Sequence, residues 1–264
     1  MRIALVVIAT IVTVGAVGGL GVIALELAAS RFVTETHALP GDVRSLAIDT
    51  GDVPVPLHIV TDVGAEVPRV DLRLITKTRG PLFAIDTDGD GIRITLADSD
   101  SGFLRFNGTG AMKVVLPPDI ARDLSLTIDR PAGALTVDSD LDRLAARTGD
   151  GTLTLGGSAR LMEVAVENGD IRTDTKIAVA ESFRGTSKVG SIRLEFSAAP
   201  RYTEVVAGGD VSVEVPSSQS YRIRAEPAPG IGHSTVSVPE TTNPRAAMVT
   251  ARSVGGNVRV AETS

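Results

Sequence analysis

Gly133-Ala-Leu-Thr-Val137, Gly151-Thr-Leu-Thr-Leu155, Gly169-Asp-Ile-Arg-Thr173, Gly190-Ser-Ile-Arg-Leu194 and Gly209-Asp-Val-Ser-Val213 are five versions of one phrase. Each is a glycine followed by polar and apolar residues in alternation, the period of a half-buried strand. The glycines recur at intervals of about 18–21 residues, the signature of a stacked repeat architecture. Aligned on the glycine, the apolar positions form columns. Two residues on are Leu135, Leu153, Ile171, Ile192 and Val211; four on are Val137, Leu155, Thr173, Leu194 and Val213. Seven before are Leu126, Leu144, Met162, Phe183 and Tyr202. Each repeat therefore predicts two short inward-facing strands with a glycine bend between them, one coil of a β-solenoid. A tight bend often needs φ > 0, which glycine alone adopts freely.

Working outward, Gly51-Asp-Val-Pro-Val55 reads as an early copy and Gly256-Asn-Val-Arg-Val260 as the last, with Val249 at its seven-before position. Val70-Asp-Leu-Arg-Leu-Ile75, Gly91-Ile-Arg-Ile-Thr-Leu96 and Met112-Lys-Val-Val-Leu116 read as strands with less regular spacing. An antiparallel β-sandwich would also give many short strands with turn signals. Near-constant spacing and aligned columns favour an all-β, single-domain solenoid over 45–264.

Before it, Ile3 to Leu25 is an unbroken apolar run, long enough to span a bilayer as a helix. The expectation is a signal-anchor over residues 1–29 and a linker over 30–44. Arg2 precedes the run and Glu26 follows it, which favours an extracytoplasmic C-terminal domain on a single-pass membrane protein. Secretion after cleavage near Ala28-Ala29 is the alternative.

Composition excludes several classes. With 43% hydrophobic and 22% charged residues the chain is not disordered. Aromatics are 3% and tryptophan is absent, which suits a thin interior filled by Val, Leu and Ile. No cysteine means no disulfide, thiol catalysis or cysteine-ligated metal. Net charge is −6 with no basic cluster in sequence, so nucleic acid is not an expected partner.

The search for chemistry finds little. His37, His58 and His233 are dispersed without metal-ligand spacing. Asp86-Thr-Asp-Gly-Asp-Gly91 resembles the start of a calcium loop, but Ala97 stands where the twelfth-position glutamate belongs, so a plain turn is expected. Asp52, Asp170 and Asp210 share the position after the glycine and are the best candidates for paired catalytic acids. Asp is also a preferred turn residue beside glycine. No catalytic, cofactor or metal residue is assigned. Asp98 to Gly110, with Phe103 and Phe106, breaks the rhythm as a cap or binding tip, and Asn107-Gly-Thr109 fits a glycosylation acceptor. Glu226 to Arg245, with its prolines, reads as an excursion from the stack carrying a short strand at Thr235–Val238.

Asn168-Gly-Asp-Ile171, Gly208-Gly-Asp-Val211, Val114-Val-Leu-Pro117, and Val213-Glu-Val-Pro216 followed by Tyr221 carry a resemblance. On these motifs, over roughly residues 45–260, the chain resembles bacterial membrane-anchored envelope proteins of the putative-adhesin, or Toastrack, type. The resemblance implies a β-solenoid displayed outside the cytoplasmic membrane and no established catalytic residues. The expected function is a non-enzymatic scaffold binding an envelope protein or glycan, without cofactor, and held in the membrane by residues 3–25. A signalling partner of a membrane sensor is the alternative, and a polysaccharide-active β-helix enzyme a further one.

Overall fold

A computed structural model describes residues 31–51, 53–76, 83–96 and 110–263. The expected anchor helix and cleavage site, Asp52, and the 98–109 tip with Asn107 lie outside the described residues. Among the described residues no helix is long and apolar enough to cross a membrane.

The fold is all-β. In chain order the strands are β1 (Arg31–Ala38), β2 (Ser45–Asp49), β3 (Leu57–Thr61), β4 (Arg69–Thr76), β5 (Phe83–Asp88), β6 (Gly91–Leu96) and β7 (Ala111–Leu116). One helical turn, α1 (Pro118–Ala121), follows where Pro117 and Pro118 stop the ladder. Then come β8 (Ser125–Ala132), β9 (Leu135–Asp138), β10 (Leu141–Asp150), β11 (Leu153–Gly156), β12 (Ser158–Asn168), β13 (Ile171–Thr173) and β14 (Ile177–Val189). The last are β15 (Ile192–Ala198), β16 (Tyr202–Ala207), β17 (Val211–Val215), β18 (Arg222–Glu226), β19 (Ser234–Ser237), β20 (Met248–Ser253) and β21 (Val258–Glu262).

The middle of the chain alternates between two parallel ladders. The first runs β9–β11–β13–β15–β17 and the second β8–β10–β12–β14–β16. The register matches the sequence columns. Leu135, Leu153, Ile171, Ile192 and Val211 stand in one line, all buried. Leu126, Leu144, Met162 and Phe183 form another. Phe183 meets Phe196 edge-on inside, ring centroids 5.5 Å apart. The glycine bends stack as well. Gly133, Gly151, Gly169 and Gly190 all have φ between 106 and 142°. A side chain at Gly151 or Gly169 would run into the carbonyl of the glycine one coil below.

Both ends depart from sequence order. At the first end β2 and β3 lie between β8/β9 and β6/β7, so the earlier coil is inside the later one. Antiparallel strands then close this end, β4 and β1 beyond β7 and β5 beyond β6. At the other end β20 and β21 lie between β16/β17 and β18/β19.

Four expectations need correction. Residues 31–38, read as linker, form β1, an edge strand in register with β4 along its whole length. The phrase Gly51-Asp-Val-Pro-Val55 is not a strand. Pro54 has no N–H to give a ladder, Val53 N–H bonds back to the Thr50 carbonyl, and Leu57 takes the place opposite Leu135. Phe183 pairs with Thr203, not Tyr202, because the corner from Ala207 to Val211 is one residue shorter than that from Ser187 to Ile192. A one-residue shift turns a side chain over, and Tyr202 is 52% exposed. Finally, 226–245 is not an excursion. Its Ser234–Ser237 strand and β18 build the outermost coil, while the coil that comes last in sequence is second from the end.

Candidate binding surfaces

Inward positions of the ladders are spent on packing, so chemistry is confined to the corners and the two outer faces. The corner acids are bound into the scaffold. Asp170 Oδ1 accepts the Ser191 backbone N–H at 2.8 Å, one coil on. Asp210 Oδ1 accepts the Asn257 backbone N–H at 2.7 Å, and Asn257 Oδ1 in turn accepts the His233 N–H at 3.0 Å. This row of side chains satisfies amides at the bends, where the ladder is interrupted. Each of these two carboxylates thus holds a bend amide of the coil next to it, the role of a turn residue. Asp86 to Gly91 is the β5–β6 hairpin turn, with Gly89 at φ 61°.

The histidines stay apart. His37 packs edge-on against Phe83 at 4.7 Å, where β1 and β5 close the first end. His58 is on the outer face of the first ladder, and His233 is in the outermost coil.

A second corner, on the interior side, is polar. Ser187 Oγ donates to the Gly169 carbonyl and Ser253 Oγ to the Gly209 carbonyl, each at 2.7 Å. Two coils earlier than Val166 in the same column is Arg130, 2% exposed. Its Nε donates to the Ala132 carbonyl at 3.1 Å and its Nη1 to the Ala134 carbonyl at 3.0 Å. Its Nη2 reaches the Val55 and Ala132 carbonyls. Burial without a carboxylate partner pushes its pKa down to about 10. Nothing local to Asp129-Arg130 in the sequence marks this burial.

Above that corner, on the outer face of the second ladder, a groove of about 490 Å³ is lined by Asp49, Asp129, Arg147, Gly149, Ala165, Glu167 and Lys188 among others. Gly149 and Ala165 make its floor low, and Lys188 is paired with Glu167. Ion pairs between strands recur over this face. Arg160 bridges Asp142 at 2.8 Å and Glu181 at 3.3 Å, and its hydrogen bond holds the Asp142 carboxyl below the usual range. Arg184 meets Glu204 at 3.0 Å.

The fold is shared with a bacterial putative adhesin. That protein, from Parabacteroides merdae ATCC 43184, aligns with a TM-score of 0.51 at 10% identity, over 87% of this chain and 96% of its own. Two further solved structures align over similar spans. One is a putative adhesin from Bacteroides fragilis NCTC 9343, with TM-score 0.41, 10% identity and coverage of 87% and 97%. The other is a putative cell adhesion protein from Clostridium sporogenes ATCC 15579, with TM-score 0.38, 12% identity and coverage of 88% and 100%. These last two scores are too low to argue from. No family model matches the chain, and no curated protein matches it.

Proposed function

We propose that this chain is a non-enzymatic cell-envelope scaffold of the putative-adhesin type, a β-solenoid whose outer faces bind a protein or glycan. The observation that carries the reading is the commitment of its candidate acids. Asp170 and Asp210, the residues best suited to paired-acid chemistry, each hold a backbone amide of another coil. What remains is two ruled faces of ordered side chains on a rigid stack, a design suited to recognition. The Parabacteroides merdae protein that shares the fold is named a putative adhesin, which is consistent with this reading. The apolar run Ile3 to Leu25 anchors the chain in the membrane, with the stack outside the cytoplasm.

The test is on intact cells. Protease added outside should remove the stack while the N-terminal segment stays with the membrane fraction. The solubilised full chain should retain envelope material without releasing product from it. A chain protected from external protease, or one that turns envelope polymer over, contradicts the reading.

A further inference from the structure

One outer row of the first ladder is unlike the other rows among the described residues. Following the register from β4 to β19, the outward positions beside the first hydrophobic column are Asp71, Lys113, His58, Thr136, Thr154, Arg172, Arg193, Ser212, Arg259 and Thr235. Asp71 at the far end is already engaged, accepting the Thr36 hydroxyl at 2.8 Å and facing Arg69 at 3.4 Å. Beyond it the row holds four permanent cations, one histidine and no carboxylate. The remaining places are all hydroxyl residues.

This is costly to arrange. Arg172 and Arg193 are directly opposed across adjacent strands, and like charges so placed repel. On the second ladder the same problem is solved by alternation, as in Arg184 with Glu204 and Lys188 with Glu167. Among the described residues no ion pair is formed by Lys113, Arg172, Arg193 or Arg259. The chain as a whole is acidic, with net charge −6, so a row of cations is not an overflow of surplus lysine and arginine. Six of its members, Thr136, Thr154, Arg172, Arg193, Ser212 and Arg259, stand three residues after the glycine of the repeated phrase, and the structure adds Lys113, His58 and Thr235 to the same line.

The row is also narrow. Two residues to one side lie Asp170 and Asp210; two to the other lie Asp138, Glu195 and Glu214. A broad anionic surface, such as a lipid bilayer, would press against those acids. A single extended chain would not. With neighbouring strands about 4.8 Å apart, Lys113 to Arg259 is a straight track of roughly 34 Å. Its Thr and Ser places offer hydrogen bonds to neutral hydroxyls between the charges; Arg172 Nε already reaches Thr154 Oγ1 at 3.4 Å. No exposed aromatic or aliphatic side chain interrupts it, so it lacks the anchors on which a protein partner's affinity rests.

We propose that this row is the binding track for a linear acidic polysaccharide, a uronic-acid chain lying along the stack with its carboxylates on Arg172, Arg193, Arg259 and Lys113. A pyranose ring with its glycosidic oxygen is on the order of one strand spacing long, ~4.8 Å, so each coil can meet about one sugar unit. The inference rests on the scaffold reading above and names its surface and ligand class.

The experiment measures binding of the full chain in detergent to polygalacturonate, with neutral dextran, inorganic polyphosphate and single-stranded DNA as comparisons. The variants are Arg172→Gln/Arg193→Gln/Arg259→Gln and, as an equal charge change on the second ladder away from the groove, Arg143→Gln/Arg184→Gln/Arg252→Gln. All six side chains are exposed, and unchanged thermal melting checks that the fold is kept. The expected result is salt-sensitive binding to polygalacturonate, weakened about tenfold or more in the first variant and within twofold of the parent in the second. Equal losses in both variants would make it a net-charge effect and overturn the track. Binding to polyphosphate or DNA with none to polygalacturonate would overturn the ligand class. If no polyanion binds while envelope material is still retained, the track is refuted and the scaffold reading stands. If neither is bound, both fall.

Discussion

Val211 is paired with Val258, and Val258 in turn with Ser234. The coil that ends the sequence is therefore clasped between two coils that precede it. Residues 202–215 and 222–237 have no ladder contact with each other except through it. Removing 248–263 should unseat the outermost coil and uncover Val205, Val211 and Val213. Hydrogen exchange provides the check: amides of β16 to β19 should lose protection while those of β8 to β13 keep theirs. Uniform protection after the truncation would contradict the clasped order.

The interior columns make a sharper local prediction. Val213 is fully buried and Ser212, its neighbour, faces out between Arg193 and Arg259. Val213→Asp should cost about 3 kcal/mol or more by placing a carboxylate in an apolar column. Ser212→Asp should stay within about 0.5 kcal/mol of the parent, since it brings a counter-charge to the cationic row. Chemical denaturation of the two variants measures both.

Glycine at 169 is demanded by both φ and space. At φ 142°, with the Gly151 carbonyl below, no side chain fits. Gly169→Ala should lower stability by about 2 kcal/mol or more. Gly41→Ala, where nothing lies nearby, should be neutral. Melting temperatures that move equally would count against the stacked bend.

Arg130 is expected to behave as a structural fork, not a surface charge. It ties the Val55, Ala132 and Ala134 carbonyls together across two coils. Arg130→Ala takes this donor from the Val55 and Ala132 carbonyls, while the Ala134 carbonyl keeps the Leu57 N–H, at a cost of about 1–3 kcal/mol. Arg130→Lys should recover little of it, because a single ammonium cannot span the same acceptors. Full recovery by lysine in a denaturation experiment would show that charge alone matters there.

Tyr221 gives a pH dependence. Its hydroxyl donates to the Pro216 carbonyl at 2.7 Å, and burial raises its pKa above that of an ordinary phenol side chain. A group whose folded pKa is raised stabilises fully below its unfolded pKa and loses that contribution as pH rises through the folded one. Stability of the parent should therefore fall above pH ~10 more steeply than that of Tyr221→Phe. Parallel curves would refute the assignment.

What could be read from the sequence was set by distance along the chain. Between Leu124 and Val215 each coil pairs with the next, so the glycine phrase records the register directly. Where pairing leaves sequence order the record is lost. Nothing local in Ser45–Asp49 says that Gly91–Leu96 lies on its other side, or in Val258 that Ser234 lies beyond it. Counting back from Gly209 turns Tyr202 inward only if the corner is constant, and that corner lacks a residue. Strand β1 looked like linker because its partner β4 is antiparallel and outside the repeat. The corner acids were legible as turn residues, being next to glycine. The middle of the cationic row is one column of the same phrase, but the places of Lys113, His58 and Thr235 in it, and the burial of Arg130, depend on which coils lie side by side.

The account depends most on the order of coils along the first ladder, and spin labels measure it directly, since the chain has no native cysteine to interfere. With one label at Thr136→Cys, a second at Arg259→Cys is five strand spacings away, roughly 24 Å, and one at Thr235→Cys six, roughly 29 Å. The residue farther along the sequence should give the shorter distance. A shorter distance to residue 235 than to residue 259 would contradict it.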